Sequence, residues 1–152
     1  MQTFAPYKTL GDIAKCLDYK RLNKQKIEAW QIYCAITDPN YGWQNHPVVE
    51  MWRGYGSFLI EYGLTMAEEW VRRGYRDNVM LDRFTKEFHR VTVQNGFFTI
   101  PKKPYWWGNY QFHASHRSNL LRKYPEHYSQ FGWIEPNDLP YFWPTRELAY
   151  VK

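Results

Sequence analysis

From Leu10 to Ile36 the apolar positions recur with the period of a helix. When the chain is turned at about 100° per residue, Leu10, Ala14, Leu17, Ile32 and Ala35 fall on one stripe. Arg21, Gln25 and Glu28 lie on that same stripe, while Lys20, Lys24 and Gln31 face the other way. "TDPNYGWQNHP" supplies the turn chemistry that ends this first helix. A second helix is predicted from Pro47 to about Arg73. Pro47 suits its first turn, Asn45 or His46 its cap, and Gly74 its end. Its inward stripe holds Val49, Trp52, Ile60, Leu64, Ala67 and Val71, and Arg53 sits among them. Gly54, Gly56 and Gly63 weaken helix propensity, which points to close packing. "NVMLDRFTKEFHRV" reads as a third helix and Asn109–Lys123 as a fourth, stopped by Pro125. On the fourth, Gln111, Ser115, Ser118 and Arg122 are expected outward. Tyr110, Leu120, Leu121 and Tyr124 are expected inward, with His113 and Arg117 on their stripe. "TVQNGFFTIPKKPYWWG" reads as a loop with at most a short extended piece, and no segment shows clear strand alternation. The tail from His127 to Tyr150, rich in Pro and aromatics, is expected to cover the helices as irregular structure. The reading is all-α: a compact helical bundle, one domain over 1–152.

Three predicted helices thus carry ionisable groups on faces that should be dry. Burying a charge is costly unless it is paired and hydrogen-bonded. Such groups either form a packing network, reach out to water along their stems, or line a pocket. Three helices sharing the feature favour a pocket faced by Arg21, Gln25, Glu28, Arg53, His113 and Arg117. Arg and Gln can read base edges or clamp phosphates, and a carboxylate beside them can act as a general base. "SHRSNLLRK" adds His116, Arg122 and Lys123 as a phosphate-binding edge.

Composition bears on the partner. The chain of 152 residues carries a formal charge of +5, from 20 Lys and Arg against 15 Asp and Glu, and 20% of it is aromatic. Excess positive charge suits a polyanion, and aromatic faces suit stacking on bases. No apolar run approaches the roughly 20 residues that span a bilayer, and the start lacks the pattern of a secretory signal. Cys16 and Cys34, if both lie on the first helix, are roughly 27 Å apart and should be free thiols, as suits a cytoplasmic protein. No Cys/His spacing resembles a zinc site, and no metal or cofactor is expected.

The residues also carry a resemblance. Thr3-Phe4 with Pro6-Tyr7, Leu17-Asp18 with Arg21-Leu22 and Lys24-Gln25, Tyr41 to Pro47, Met51 to Tyr55, Ser115 to Lys123, His127-Tyr128 and Leu139 to Pro144 form a recurring set. On these the chain resembles the pyrimidine-dimer DNA glycosylase family (phage endonuclease V-like), in a bacterial and phage branch of it. The resemblance implies an all-α fold, a glycosylase with lyase activity and no metal. It implies an N-terminal amine that attacks the sugar C1′, a glutamate on the first helix, and basic residues that hold bent DNA with a base flipped out. At two positions the chain differs from the type enzyme. Gln2 stands where a small residue would favour removal of Met1, leaving Thr3 one position further in. Arg21 stands where the glutamate is expected, and Glu28 is the acid on that stripe. The expected catalytic set is therefore Glu28, Arg21 and Thr3. Substrate contacts are expected from Lys24, Gln25, Asn45, His46, Arg53, Tyr55, His113, His116 and Arg117, and phosphate contacts from Arg122 and Lys123. The expected partner is DNA, duplex or distorted, or a nucleotide, bound by a monomer. A damaged-base glycosylase, a non-catalytic binding module and an enzyme acting on a free nucleotide all remain open at this point.

Overall fold

The computed structural model describes residues 1–77 and 79–144. Residues 1–9 form neither helix nor strand, and then come α1 (Leu10–Cys16), α2 (Tyr19–Thr37), α3 (Pro47–Trp52), α4 (Gly56–Arg72) and α5 (Met80–Thr92). A small hairpin, β1 (Val93–Gln94) with β2 (Phe97–Phe98), leads toward α6 (Tyr110–Lys123) and α7 (Pro125–Tyr128). A 3-10 turn, Ser129–Phe131, precedes the irregular segment 132–144. The fold is predominantly α, as the periodicity predicts. The last residues of the predicted tail, 145–150, and the predicted start of α5 at Asn78 lie outside the described residues.

Two predicted helices are each two. The first breaks at Leu17 and Asp18. Asp18 is the N-cap of α2, accepting from the Arg21 backbone N–H, and its own N–H donates to the Tyr128 hydroxyl at 3.1 Å. Arg73 covers the exposed end of α1 by donating to the carbonyls of Ala14, Lys15 and Leu17 at 2.8–3.2 Å, which satisfies acceptors that a helix end leaves open. The second breaks at Gly54, whose φ of +87° lies in the left-handed region. His46, not Asn45, caps α3: its Nδ1 accepts from the Val48 N–H at 3.0 Å. Both cysteines are free.

α4 packs between α2 and α5. Gly63 is where α4 and α5 approach closely. A Cβ there would sit 2.2 Å from Phe84 Cε1, so this glycine serves packing as expected, whereas Gly54 serves the turn. Trp52, Tyr62, Phe84, Trp106 and Phe112 are fully buried beside Ile13, Leu22, Ile32 and Leu59. Each such side chain contributes roughly 1.5–3 kcal/mol of burial.

α6 corrects the expected wheel. Ser115 and Ser118 are buried, whereas Tyr110 is 68% exposed and Tyr124 41%. The cause is the segment 132–144, which has no strand partner and takes its hydrogen bonds from α6 side chains. Ser115 Oγ accepts from Phe142 N–H and Ser118 Oγ from Leu139 N–H, while Asn119 donates to Leu139 O and Arg122 to Asn137 O. Buried backbone without a neighbouring strand needs such partners.

Candidate active site

The N-terminal segment explains the misplaced polar groups. Residues 2–6 are buried, irregular and without a pairing strand, so side chains of three helices complete their backbone. From α2, Glu28 Oε2 accepts the Gln2 N–H at 3.2 Å and Gln25 Oε1 accepts the Phe4 N–H at 2.8 Å. From α4, the Tyr62 hydroxyl lies 2.7 Å from both Phe4 O and Gln25 Oε1. From α6, His116 Nδ1 accepts the Ala5 N–H at 2.9 Å, His113 Nδ1 lies 2.6 Å from Ala5 O, and Arg117 donates to Pro6 O at 2.7 Å.

His113 Nε2 accepts from the Gly108 N–H at 3.0 Å, so its proton is on Nδ1, which donates to Ala5. Both imidazoles are held neutral. Burial, the largest effect, pulls the His113 pKa down, and burial with neighbouring His113 and Arg117 pulls His116 down to about 3.

This clamp delivers the start of the chain to a cavity of about 450 Å³. Met1, Gln2 and Phe4 form one wall. Lys20, Arg21, Lys24, Gln25 and Glu28 of α2 form another, and Lys123 at the end of α6 and Tyr141 close it. Glu28 is the acid among these residues. It accepts from Gln2 N–H, lies 3.4 Å from Gln25 Nε2 and meets Lys24 Nζ at 3.8 Å. Arg21 is paired with Asp18 at 3.1 Å rather than with Glu28. Burial of Asp18 acts to raise its pKa, but hydrogen bonds from Tyr128 and Arg21 outweigh it and hold the carboxyl low. Lys123 is pushed down by burial and then by Arg21, Arg122 and Lys24, the mark of cations crowded together with too little opposing charge. Burial pushes the Tyr141 phenol up to about 12, so it stays neutral. Gln2 Oε1 is engaged by the Thr3 N–H, and its buried Nε2 has no acceptor among the described residues.

The expected six-residue cavity divides. Arg21, Gln25 and Glu28 line this one. Arg53 turns away and binds Gln44 and Glu50, at a separate cleft that Tyr55 also lines. His113 and Arg117 line a smaller pocket of about 210 Å³ together with Pro6 and Tyr7, and Arg117 pairs with Glu135 at 2.6 Å. A wheel reports that a residue faces inward but not what stands opposite, and here the N-terminal segment gives Met1, Gln2 and Phe4 to one pocket and Pro6 to the other. Thr3 is buried, its Oγ1 accepting from Trp52 Nε1 at 2.9 Å. His116 is fully buried. Arg122 is spent on Asn119 and Asn137. Asn45 is exposed on the α2–α3 loop. Burial, and then the charge at the start of the chain, lower the His46 pKa, with Glu28 opposing them; His46 does not line the cavity.

Sequence periodicity missed Lys20, which it turned away from the site, together with Met1, Gln2, Tyr62 and Tyr141. Tyr62 lies on the inner side of α4, where a tyrosine is indistinguishable from core. Its hydroxyl is what matters, and only the fold shows its partner. Among the described residues no group of three or more His, Cys, Asp or Glu is placed to hold a metal, and no helix is long and apolar enough to cross a membrane.

The family model described as pyrimidine dimer DNA glycosylase matches residues 1–83, which hold the N-terminal segment, α1 to α4 and Glu28. No curated protein and no solved structure matches the chain.

Proposed function

The chain belongs to the pyrimidine dimer DNA glycosylase family, and from that premise we propose that it removes a damaged base, extruded from the duplex into the 450 Å³ cavity, with Glu28 as the principal catalyst. The observation that carries this reading is the placing of one carboxylate, Glu28, against the start of the chain in a cavity otherwise ringed by Lys20, Arg21, Lys24 and Lys123.

The chemistry follows from that layout. An enzyme that cleaves at a base first takes it out of the stack. The four cations meet the phosphates flanking the extruded nucleotide. Cleavage of the glycosidic bond builds positive charge on the sugar. The bonding electron pair leaves with the base, which takes up a proton from solvent, while the Glu28 carboxylate stabilises the charge on the sugar and accepts a proton from the attacking water as its oxygen bonds to C1′. Gln25 positions it, held in turn by Phe4 and Tyr62. Tyr141 offers a neutral phenol to the base.

A second reading rests on one distance. The nitrogen of residue 2 lies 3.2 Å from Glu28 Oε2. Loss of Met1 would make it an amine with a carboxylate partner, the arrangement that attack at the sugar C1′ and a Schiff base require.

Both are tested on duplexes carrying a panel of lesions, pyrimidine dimers included, with products identified by mass spectrometry. Borohydride is added to a parallel set. Glycosidic cleavage without a trapped adduct, seen as a released base or, on a dimer, as a severed base still bonded to its neighbour, supports hydrolysis assisted by Glu28. An adduct mapping to residue 1 or 2 gives the nucleophile's role to the N-terminal nitrogen. Binding with no product on any lesion contradicts both and leaves a binding module.

A further inference from the structure

Trp43 is a large aromatic residue held where such residues are rarely found. It lies on the α2–α3 loop, 56% exposed, with a backbone φ of +68°. For a bulky residue that left-handed conformation is an outlier, and strain of this kind persists where the surrounding structure imposes it and clusters at functional sites. The loop fixes it: the His46 N–H donates to Trp43 O at 3.0 Å, and the His46 ring meets the indole edge-on at 5.9 Å. The same imidazole meets Trp143 at 6.0 Å, and Trp143 meets Tyr141 at 5.6 Å. Tyr141 lines the cavity. A chain of ring contacts thus leads from Tyr141 at the cavity wall, through Trp143 and His46, to an indole presented to solvent.

We infer that Trp43 stacks on a DNA base left unstacked beside the extruded nucleotide, an inference that rests on the glycosylase reading above. An extruded base leaves a gap in the stack, and enzymes and architectural proteins fill such gaps with apolar side chains. An indole is well suited to this because stacking on it tolerates any base. The chain of ring contacts to Tyr141 fixes how the indole stands relative to the cavity. His46 acts here as a brace for the indole.

The test uses a duplex with a tetrahydrofuran abasic site flanked by 2-aminopurine, whose fluorescence reports stacking, and measures affinity and fluorescence together. Trp43→Ala should bind this duplex about tenfold or more weakly and change the 2-aminopurine signal. Trp43→Phe should recover most of both. Trp43→Asn, which tolerates a positive φ, should melt at or above the wild-type temperature while binding as weakly as Trp43→Ala. Affinity within twofold of wild type and an unchanged signal in Trp43→Ala would overturn the inference. So would a fall of more than about 5 °C in the melting temperature of Trp43→Asn, which would make the residue structural. Product formation by the wild type alongside an unaffected Trp43→Ala overturns this inference alone. Absence of any DNA binding by the wild type overturns it together with the glycosylase reading.

Discussion

Acid should loosen the N-terminal segment through His116. This imidazole is 1% exposed, and its Nδ1 accepts the Ala5 N–H at 2.9 Å. A proton there would charge a buried ring and displace that N–H. Burial, with His113 and Arg117 beside it, holds its pKa at about 3, against 6.5 for a free histidine. Because the folded value is depressed, the stabilisation is complete above about pH 6.5 and is lost as pH falls toward 3. One unit corresponds to about 1.36 kcal/mol. Going from pH 7 to about pH 4.5 crosses two units below 6.5, so His116 should remove up to about 2.7 kcal/mol. At this chain length that is roughly 5–10 °C in melting temperature. His113 is lowered for the same first reason and adds in the same direction. The assay is urea unfolding followed by tryptophan fluorescence at the two pH values, for wild type and His116→Asn. The Asn oxygen can still accept from Ala5 N–H but does not titrate. Carboxylates elsewhere affect both proteins alike, so the difference between the two pH losses isolates His116. Wild type should lose about 2–3 kcal/mol more than the variant. Losses equal within about 0.5 kcal/mol would refute the clamp at Ala5.

Gln25→Leu leaves the buried Phe4 N–H without its acceptor and should cost about 1–3 kcal/mol in chemical denaturation; an unchanged unfolding midpoint would count against the side-chain ladder along the N-terminal segment. Gly63→Ala drives a methyl to within 2.2 Å of Phe84 Cε1 and should cost about 1–3 kcal/mol. Phe84→Leu in the same chain should recover part of that loss, and strict additivity would show that α4 and α5 do not meet there. DNA affinity should fall as salt rises, and Lys123→Ala should flatten the slope of log affinity against log salt by about 0.9; an unaltered slope would remove Lys123 from the phosphate contacts.

The helical period gave the α2 stripe correctly because Ile32, Ala35, Gln25 and Glu28 do share one side of one continuous helix. It could not name the segment that Gln25, His113 and His116 serve, since that segment is irregular, lies far away in the chain and offers only backbone. The break at Leu17 contains neither Gly nor Pro. Its one local signal is Asp18, a favoured N-cap residue, while the contacts that fix it come from Tyr128 and Arg73. The hairpin had a clear signal in Asn95-Gly96, both with positive φ, the chemistry of a two-residue turn. Strands two residues long leave no alternation to find. On α6 the error has a different origin: serines read as wet because nothing in their own helix indicates that residues 132–144 will cover them. Glu28 was legible as the acid of the stripe, and the fold adds its neighbour, the nitrogen of Gln2.

Glu28→Gln tests the central claim most directly, because it keeps the shape and the hydrogen-bond acceptor while removing the charge. Single-turnover glycosidic cleavage and DNA affinity are measured together on the lesion duplex that wild type processes fastest. The rate should fall on the order of 10²-fold or more, with affinity equal to or tighter than wild type, since a negative charge leaves a site that meets phosphates. A Glu28→Gln protein that cleaves the glycosidic bond at close to the wild-type rate would contradict the account, showing that the carboxylate against the start of the chain is not the catalyst.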